Sequence, residues 1–200
     1  MVLNHSDEHR ESFLIPVKSF LEAKERLAER FGPIERQALA QRLAEGVLRS
    51  VHPASVAIVC DDDAVASWGR HLDALVIWAP KKGLNAAVAH GVATLEAKGF
   101  STITVSHADL PFPEALNSVS IADTIVLVPD RHRDGTNVIS LPTGVAFNFS
   151  YGPGSFHRHV AEAERTGSPF MILDHAELAI DIDTSGDIDY AQAQTRPWGP

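Results

Sequence analysis

Ala74-Leu75-Val76-Ile77-Trp78, followed by Gly83 to Lys98 and then by Thr102-Ile103-Thr104-Val105, sets the architecture of this chain. The first piece is a short apolar run of β-forming residues and predicts a strand. The second is rich in alanine and stops at Gly99, which predicts a helix. The third is β-branched throughout and predicts another strand, ending at His107-Ala108-Asp109-Leu110-Pro111. Strand, helix, strand at this spacing is a crossover unit, and such units join parallel strands.

The same alternation continues on both sides. Upstream, Phe13 to Val17 reads as a buried strand, followed by two helical stretches split near Gly32-Pro33. The second of these, Ile34 to Val51, carries Leu39, Leu43, Val47 and Val51 on one stripe. Ser55 to Cys60 is a strand ending in Asp61-Asp62-Asp63. Downstream, Thr124 to Val128, Val138 to Leu141, Val145 to Phe149 and Phe170 to Leu173 read as strands. Ser155 to Thr166 reads as a helix, and Ala179 to Asp183 as a last strand-like piece. The pattern predicts an α/β three-layer domain with a mixed, mainly parallel sheet. Residues 1–12 and 193–200 read as tails around a single domain at 13–192.

Composition narrows the function. The chain has 200 residues, 44% of them apolar, enough for one sizeable core. Cys60 is the one cysteine, so no disulfide forms within the chain and a reducing cytoplasm is expected. There is no basic start leading into an apolar stretch and no apolar segment of membrane-spanning length. The net charge of −9 argues against nucleic acid as a partner, since that needs a basic footprint. It is compatible with small phosphates held by a few cations and backbone N–H groups. Oligomeric state is left open, with a homodimer as one option.

In open α/β sheets the ligand site lies at the carboxyl ends of the strands. Lys18, Asp109 and Asp130-Arg131 each fall just after a strand on that rim. Asp181 and Asp183 flank Ile182, so an extended backbone turns both carboxylates to one side. A cation between them would relieve their repulsion, and Mg²⁺ takes such oxygen ligands. Asp183-Thr184-Ser185 is equally a helix cap, and both readings stand. Tyr151-Gly152-Pro153-Gly154-Ser155-Phe156 is a glycine turn opening a helix, a seat for an anion or a plain serine-capped turn. Asp134-Gly135-Thr136-Asn137 is a second polar turn, with donors for a ligand or a plain hairpin turn. Asn85, early in its helix, faces a nucleotide or merely solvent. The ten histidines read as mainly surface, except His107 near Asp109. Neither a phosphate-binding Gly-Lys-Thr loop nor a Gly-x-Ser-x-Gly elbow is present, which disfavours an ATPase or a serine hydrolase.

Leu14-Ile15-Pro16-Val17-Lys18, Ala23-Lys24-Glu25-Arg26-Leu27, Gly83-Leu84-Asn85, Ala108-Asp109-Leu110-Pro111, Gly135-Thr136-Asn137, Tyr151 to Phe156 and Asp181-Ile182-Asp183-Thr184 occur in this order. Together they resemble the 2-phospho-L-lactate guanylyltransferase family, whose bacterial members act on phosphoenolpyruvate or 3-phosphoglycerate. The resemblance covers about residues 13 to 190. It implies a nucleotide-diphospho-sugar transferase-like fold and the joining of GTP to a small phosphorylated three-carbon acid in coenzyme F-420 assembly. It further implies that Asp109, Asp181 and Asp183 hold Mg²⁺. Lys18 and Arg26 would steady the triphosphate, Asn85 would contact guanosine, and Thr136, Gly152 and Ser155 would hold the acid. Two alternatives remain: another nucleotidyltransferase of this fold, using a molybdopterin or sugar phosphate, and a non-catalytic binding module.

Overall fold

The computed structural model describes residues 10–51, 55–79 and 83–194. Its strands are β1 (Glu11–Pro16), β2 (Ser55–Cys60), β3 (Leu75–Trp78), β4 (Thr102–Ser106), β5 (Ile125–Pro129), β6 (Thr136–Pro142) and β7 (Phe170–Ile172). Its helices are α1 (Pro33–Ser50), α2 (Asp63–His71), α3 (Leu84–Ala97), α4 (Ser155–Thr166) and α5 (Ser185–Gln192). All seven strands join one sheet in the order β3-β2-β1-β4-β6-β5-β7. Pairs β1–β2, β2–β3, β1–β4 and β5–β7 are parallel, while β6 runs antiparallel to both β4 and β5. The expected mixed, mainly parallel sheet is therefore the one observed.

The strand period of two sorts the core into layers. Phe13 and Ile15 of β1 and Ile58 of β2 pack on one face with Ala44, Val47 and Leu48 of α1 and Val65 of α2. Leu14, Ala57 and Val59 point to the other face and meet Val88 and Leu95 of α3. Phe156 and Ala163 of α4 cover the same face further along the sheet. Helix α3 lies close on β1, because a Cβ at Gly91 would come within 2.6 Å of the Leu14 side chain. A third cluster joins Leu39 and Leu43 of α1 to Ile180, Ile182 and Ile188, and so pins the C-terminal segment to the body of the protein. No helix among the described residues is long and apolar enough to cross a membrane.

Several local expectations differ from the structure. The first helical stretch after β1 is two short 3₁₀ turns, Phe20–Glu22 and Glu25–Leu27, separated by Lys24 in the left-handed region at φ 57°. Helix α2 grows directly from the Asp61-Asp62-Asp63 run, where Asp62 caps it by accepting from the Val65 N–H at 2.9 Å. Val145 to Phe149 is not a strand. Both edges of β6 are taken by β4 and β5, so this segment cannot pair with the strand it follows, and the Asn148 N–H donates to Glu162 instead. Ala179 to Asp183 is not a strand either; it docks through an Ile182 N–H bond to the Asp109 carbonyl at 3.1 Å. Strand β1 takes in Glu11 and Ser12, placed in the tail by sequence, while residues 1–9 and 195–200 lie outside the described part.

Candidate active site

Strand β1 has β2 on one side and β4 on the other, so the chain leaves these strands in opposite directions and opens a crevice at their carboxyl ends. A cleft of about 510 Å³ lies there, lined among others by Lys18, Lys24, His107, Asp109, Asp181 and Asp183. Lys18 is exposed at its rim. Arg26 is exposed too and lines an adjoining recess with Lys24 and Asp183.

Asp109, Asp181 and Asp183 each offer an oxygen within 4.8 Å of the others. Asp109 arrives on the loop after β4. Asp181 and Asp183 arrive on the docked C-terminal segment, with the fully buried Ile182 turned away into the third cluster. Thr184 caps α5, exchanging hydrogen bonds with Asp187, so the cap and the carboxylate cluster coexist on successive residues. The Lys24 ammonium enters from the opposite wall and donates to Asp109 at 2.5 Å and Asp183 at 3.1 Å. Burial opposes its charge, but the two carboxylates outweigh burial and raise its pKa. Burial likewise works against ionised Asp109, and Lys24 reverses it, holding that carboxyl below its ordinary range. Asp181 has no such cation: burial and then the Asp109 charge push it up to about 6. Asp109 Oδ1 is buried and has no hydrogen-bond partner. A set of three carboxylates with one oxygen unmet and a single lysine among them suits a small hard cation.

The glycine turn before α4 has the conformation an anion seat needs. Gly152 and Gly154 sit at φ 114° and 71°, a region that side chains strain to adopt. Arg158 fastens the turn by donating to the carbonyls of Ser150, Gly152 and Pro153. Ser155 opens the helix and is buried. Three of its backbone donors are already engaged: the Gly154 N–H bonds the Asp134 carboxylate at 3.0 Å, the Ser155 N–H the Gly152 carbonyl at 2.9 Å and the Phe156 N–H the Asp134 carbonyl at 2.9 Å. Thr136 is fully buried, and its hydroxyl pairs with His159 Nδ1 at 2.9 Å. His159 Nε2 accepts from the Ser150 N–H at 2.9 Å, so Nδ1 carries the proton of a neutral ring. Burial lowers the His159 pKa to about 4. This histidine, read from sequence as a surface residue, is a buried strut tying β6 to the glycine turn.

Asn85 reaches the same turn: its Oδ1 accepts from the Tyr151 N–H at 2.7 Å, so it orders the loop rather than standing free for a base. Asp130 is a loop organiser, accepting from the N–H groups of His132, Asp134 and Gly135. Arg131 pairs with Asp187 and covers Tyr190. Neither Asp130 nor Arg131 lines the cleft. Lys24, Arg158, His159 and buried Asn137, which donates to the Leu178 carbonyl at 3.0 Å, were not singled out by sequence. Lys24 and Asn137 could have been noticed within motifs of the resemblance; Arg158 and His159 had no local signal.

Residues 11–191 match a family model described as guanylyl transferase CofC like. A phosphoenolpyruvate guanylyltransferase of Sphaerobacter thermophilus is 34% identical over 185 residues, covering 88% of this chain and 89% of that protein. One of the same name from Thermomonospora curvata is 34% identical, covering 95% and 86%. Among solved structures, one from Desulfovibrio desulfuricans assigned to the nucleotide-diphospho-sugar transferases superposes with a TM-score of 0.74 at 16% identity, covering 92% and 88%. The 4-diphosphocytidyl-2C-methyl-D-erythritol synthase of Anaerococcus prevotii gives 0.57 at 13% identity, covering 92% and 97%.

Proposed function

The chain belongs to the CofC-like guanylyl transferase family and is a nucleotidyltransferase, and from that premise we propose that it joins GTP to phosphoenolpyruvate, a three-carbon phospho-acid, with release of pyrophosphate. The names of its relatives favour phosphoenolpyruvate over 2-phospho-L-lactate or 3-phosphoglycerate. The product would serve the assembly of coenzyme F-420. A single free, buried cysteine and a nucleotide substrate support a cytoplasmic setting.

The observation that carries the reading is the convergence of Asp109, Asp181 and Asp183 beside Lys24 in a cleft that Lys18 and His107 also line. A phosphate oxygen of the acid attacks the α-phosphorus of GTP. That new P–O bond forms as the bond to the β-phosphate oxygen breaks, and pyrophosphate departs with the electron pair. The attacking oxygen is already anionic near neutral pH, so no general base is needed. Catalysis then rests on alignment and charge neutralisation. Lys18 and Arg26 neutralise the triphosphate from the rim. Gly152 and Ser155 hold the acid at the start of α4, with Thr136 fixing the turn beneath through His159. Asn85 supports the same turn by accepting from the Tyr151 N–H. The three aspartates would hold Mg²⁺, and the unmet Asp109 Oδ1 is the sign that they fit it. When bound, the ion would supply positive charge to the phosphates. Without it, the Lys24 ammonium bonds two of the three carboxylates and offsets part of their charge.

The test is a panel of nucleotides against phosphoenolpyruvate, 2-phospho-L-lactate, 3-phosphoglycerate and sugar phosphates, read by pyrophosphate release and product mass. GTP with phosphoenolpyruvate should give the guanylylated acid. GTP binding without pyrophosphate release from any acid would instead make the chain a binding module.

A further inference from the structure

Among the described residues four buried side-chain polar atoms lack a hydrogen-bond partner, and three of them belong to neighbours: His107 Nε2, Asp109 Oδ1 and Tyr151 Oη. His107 Nδ1 lies 4.0 Å from Asp109 Oδ1, and the His107 and Tyr151 rings are 5.5 Å apart. Buried polar atoms are nearly always paired, so an unpaired group in a native fold calls for a ligand or an explanation. The Asp109 oxygen is accounted for by the cation its cluster suits. The other two atoms have no part in the reaction as described so far.

The Tyr151 ring is held on several sides and His107 by its backbone. Tyr151 is only 8% exposed. Its N–H is fixed to Asn85, its ring stacks parallel to Phe149 at 6.3 Å, and it meets the edge of His159 at 4.9 Å. Burial pushes its phenol well above the usual range, so the hydroxyl keeps its proton and remains a donor. The His107 backbone is fixed by its N–H bond to the Asn137 carbonyl at 2.9 Å. A phenol and an imidazole N–H can together serve two acceptor oxygens. His107 stands between the two halves of the site, next to Asp109 on one side and to the first residue of the glycine turn on the other.

The proposed acid carries a phosphate and a carboxylate. Its phosphate must reach the α-phosphorus near the aspartates, which leaves the carboxylate on the side of the glycine turn. We infer that His107 Nε2 and Tyr151 Oη receive the carboxylate of the small acid, and so distinguish phospho-acids from phosphate esters without one. The inference rests on the guanylyltransferase reading.

Tyr151→Phe removes one oxygen that has no partner in the free protein, so the melting temperature of the ligand-free protein should hold or rise. A purely structural hydroxyl would lower it. Binding of phosphoenolpyruvate and of glycerol 2-phosphate, which has no carboxylate, is measured by calorimetry with Mg²⁺, and turnover by pyrophosphate release. Tyr151→Phe and His107→Leu should each weaken phosphoenolpyruvate about tenfold or more, the worth of a bond to a charged group. Glycerol 2-phosphate binding and the KM for GTP should stay as in the parent. Unchanged phosphoenolpyruvate affinity in both variants, or equal loss for both esters, would overturn the inference. Acid binding that is lost in Tyr151→Phe supports it even if the parent shows no turnover, in which case only the guanylyltransferase reading fails. A parent protein that neither binds nor consumes the acid sinks both.

Discussion

Lys24 holds a charge that its burial opposes, and it does so only because two carboxylates face it. Removing one partner of a buried ion pair costs about 3–5 kcal/mol, since the other charge is left uncompensated. Lys24→Met should therefore destabilise the protein by about that amount, and millimolar Mg²⁺ should restore part of the loss. Melting curves in Mg²⁺ and in EDTA check this; a Lys24→Met protein that melts alike in both would speak against a cation site at these aspartates. Asp183→Asn is the complementary change. Its side chain is half exposed, and its backbone N–H still bonds Asp187, so the fold should persist while turnover is abolished. Normal activity in that variant would remove Asp183 from the mechanism. His159 gives a pH signature. Its folded pKa lies near 4, below the ordinary value of 6.5, so its contribution is whole above about pH 6.5 and is lost as pH falls toward 4. At about 1.4 kcal/mol per pKa step the loss is on the order of 3 kcal/mol, and it should vanish from the difference between parent and His159→Gln in acid melts. Neither Lys24 nor His159 was legible as a site residue. Lys24 sits in a run with helical character and takes a left-handed backbone only in the tertiary setting. His159 reads as one of ten histidines until β6 and the glycine turn close around it.

The helix α4 and the turn before it were read correctly as an element, because glycine, serine and the following amphipathic run are local signals. What the sequence did not reveal is that the seat is partly filled. Asp134 comes from the β5–β6 loop, far along the chain, and its carboxylate accepts from Gly154 where an incoming acid would also look for donors. A negative charge near a helix N-terminus is favourable to the helix by about 0.3–1 kcal/mol, and the same charge repels a second anion there. Asp134→Asn keeps an acceptor for Gly154 but removes the repulsion, so the KM for the acid should fall by about two- to fivefold with kcat little changed. Steady-state kinetics on the acid at saturating GTP provide the check, and a rise in KM would mean that Asp134 organises the seat more than it guards it. The strand expected at Val145 to Phe149 failed for a related reason. Its apolar alternation is real, but pairing needs a free edge, and the order of the sheet decides which edges are free.

The sheet itself was legible as α/β, mixed and mainly parallel, since alternation of helix and strand is a local pattern that leaves few topologies. The position of the cleft followed from the same pattern through the carboxyl-end rule. Its two walls did not, because they meet only when residues 179–183 fold back onto the loop after β4. That closure is held by the third apolar cluster, in which Ile180, Ile182 and Ile188 pack against α1. Under the proposed function the C-terminal segment would couple metal and nucleotide binding to fold stability. A ligand that binds only the folded chain stabilises it by about 2.7 kcal/mol at a hundred times its Kd. For a domain of this size each kcal/mol moves the melting temperature by about 2–4 °C. GTP with Mg²⁺ should therefore raise it by roughly 5–11 °C, while GTP with EDTA, or Mg²⁺-GTP added to Asp181→Asn, should raise it far less. Hydrogen exchange gives the regional reading: protection should increase across residues 180–192 and the Lys18 to Leu27 wall, and stay level in β5 and β7. Equal protection everywhere would indicate that the ligand binds without drawing these two walls together.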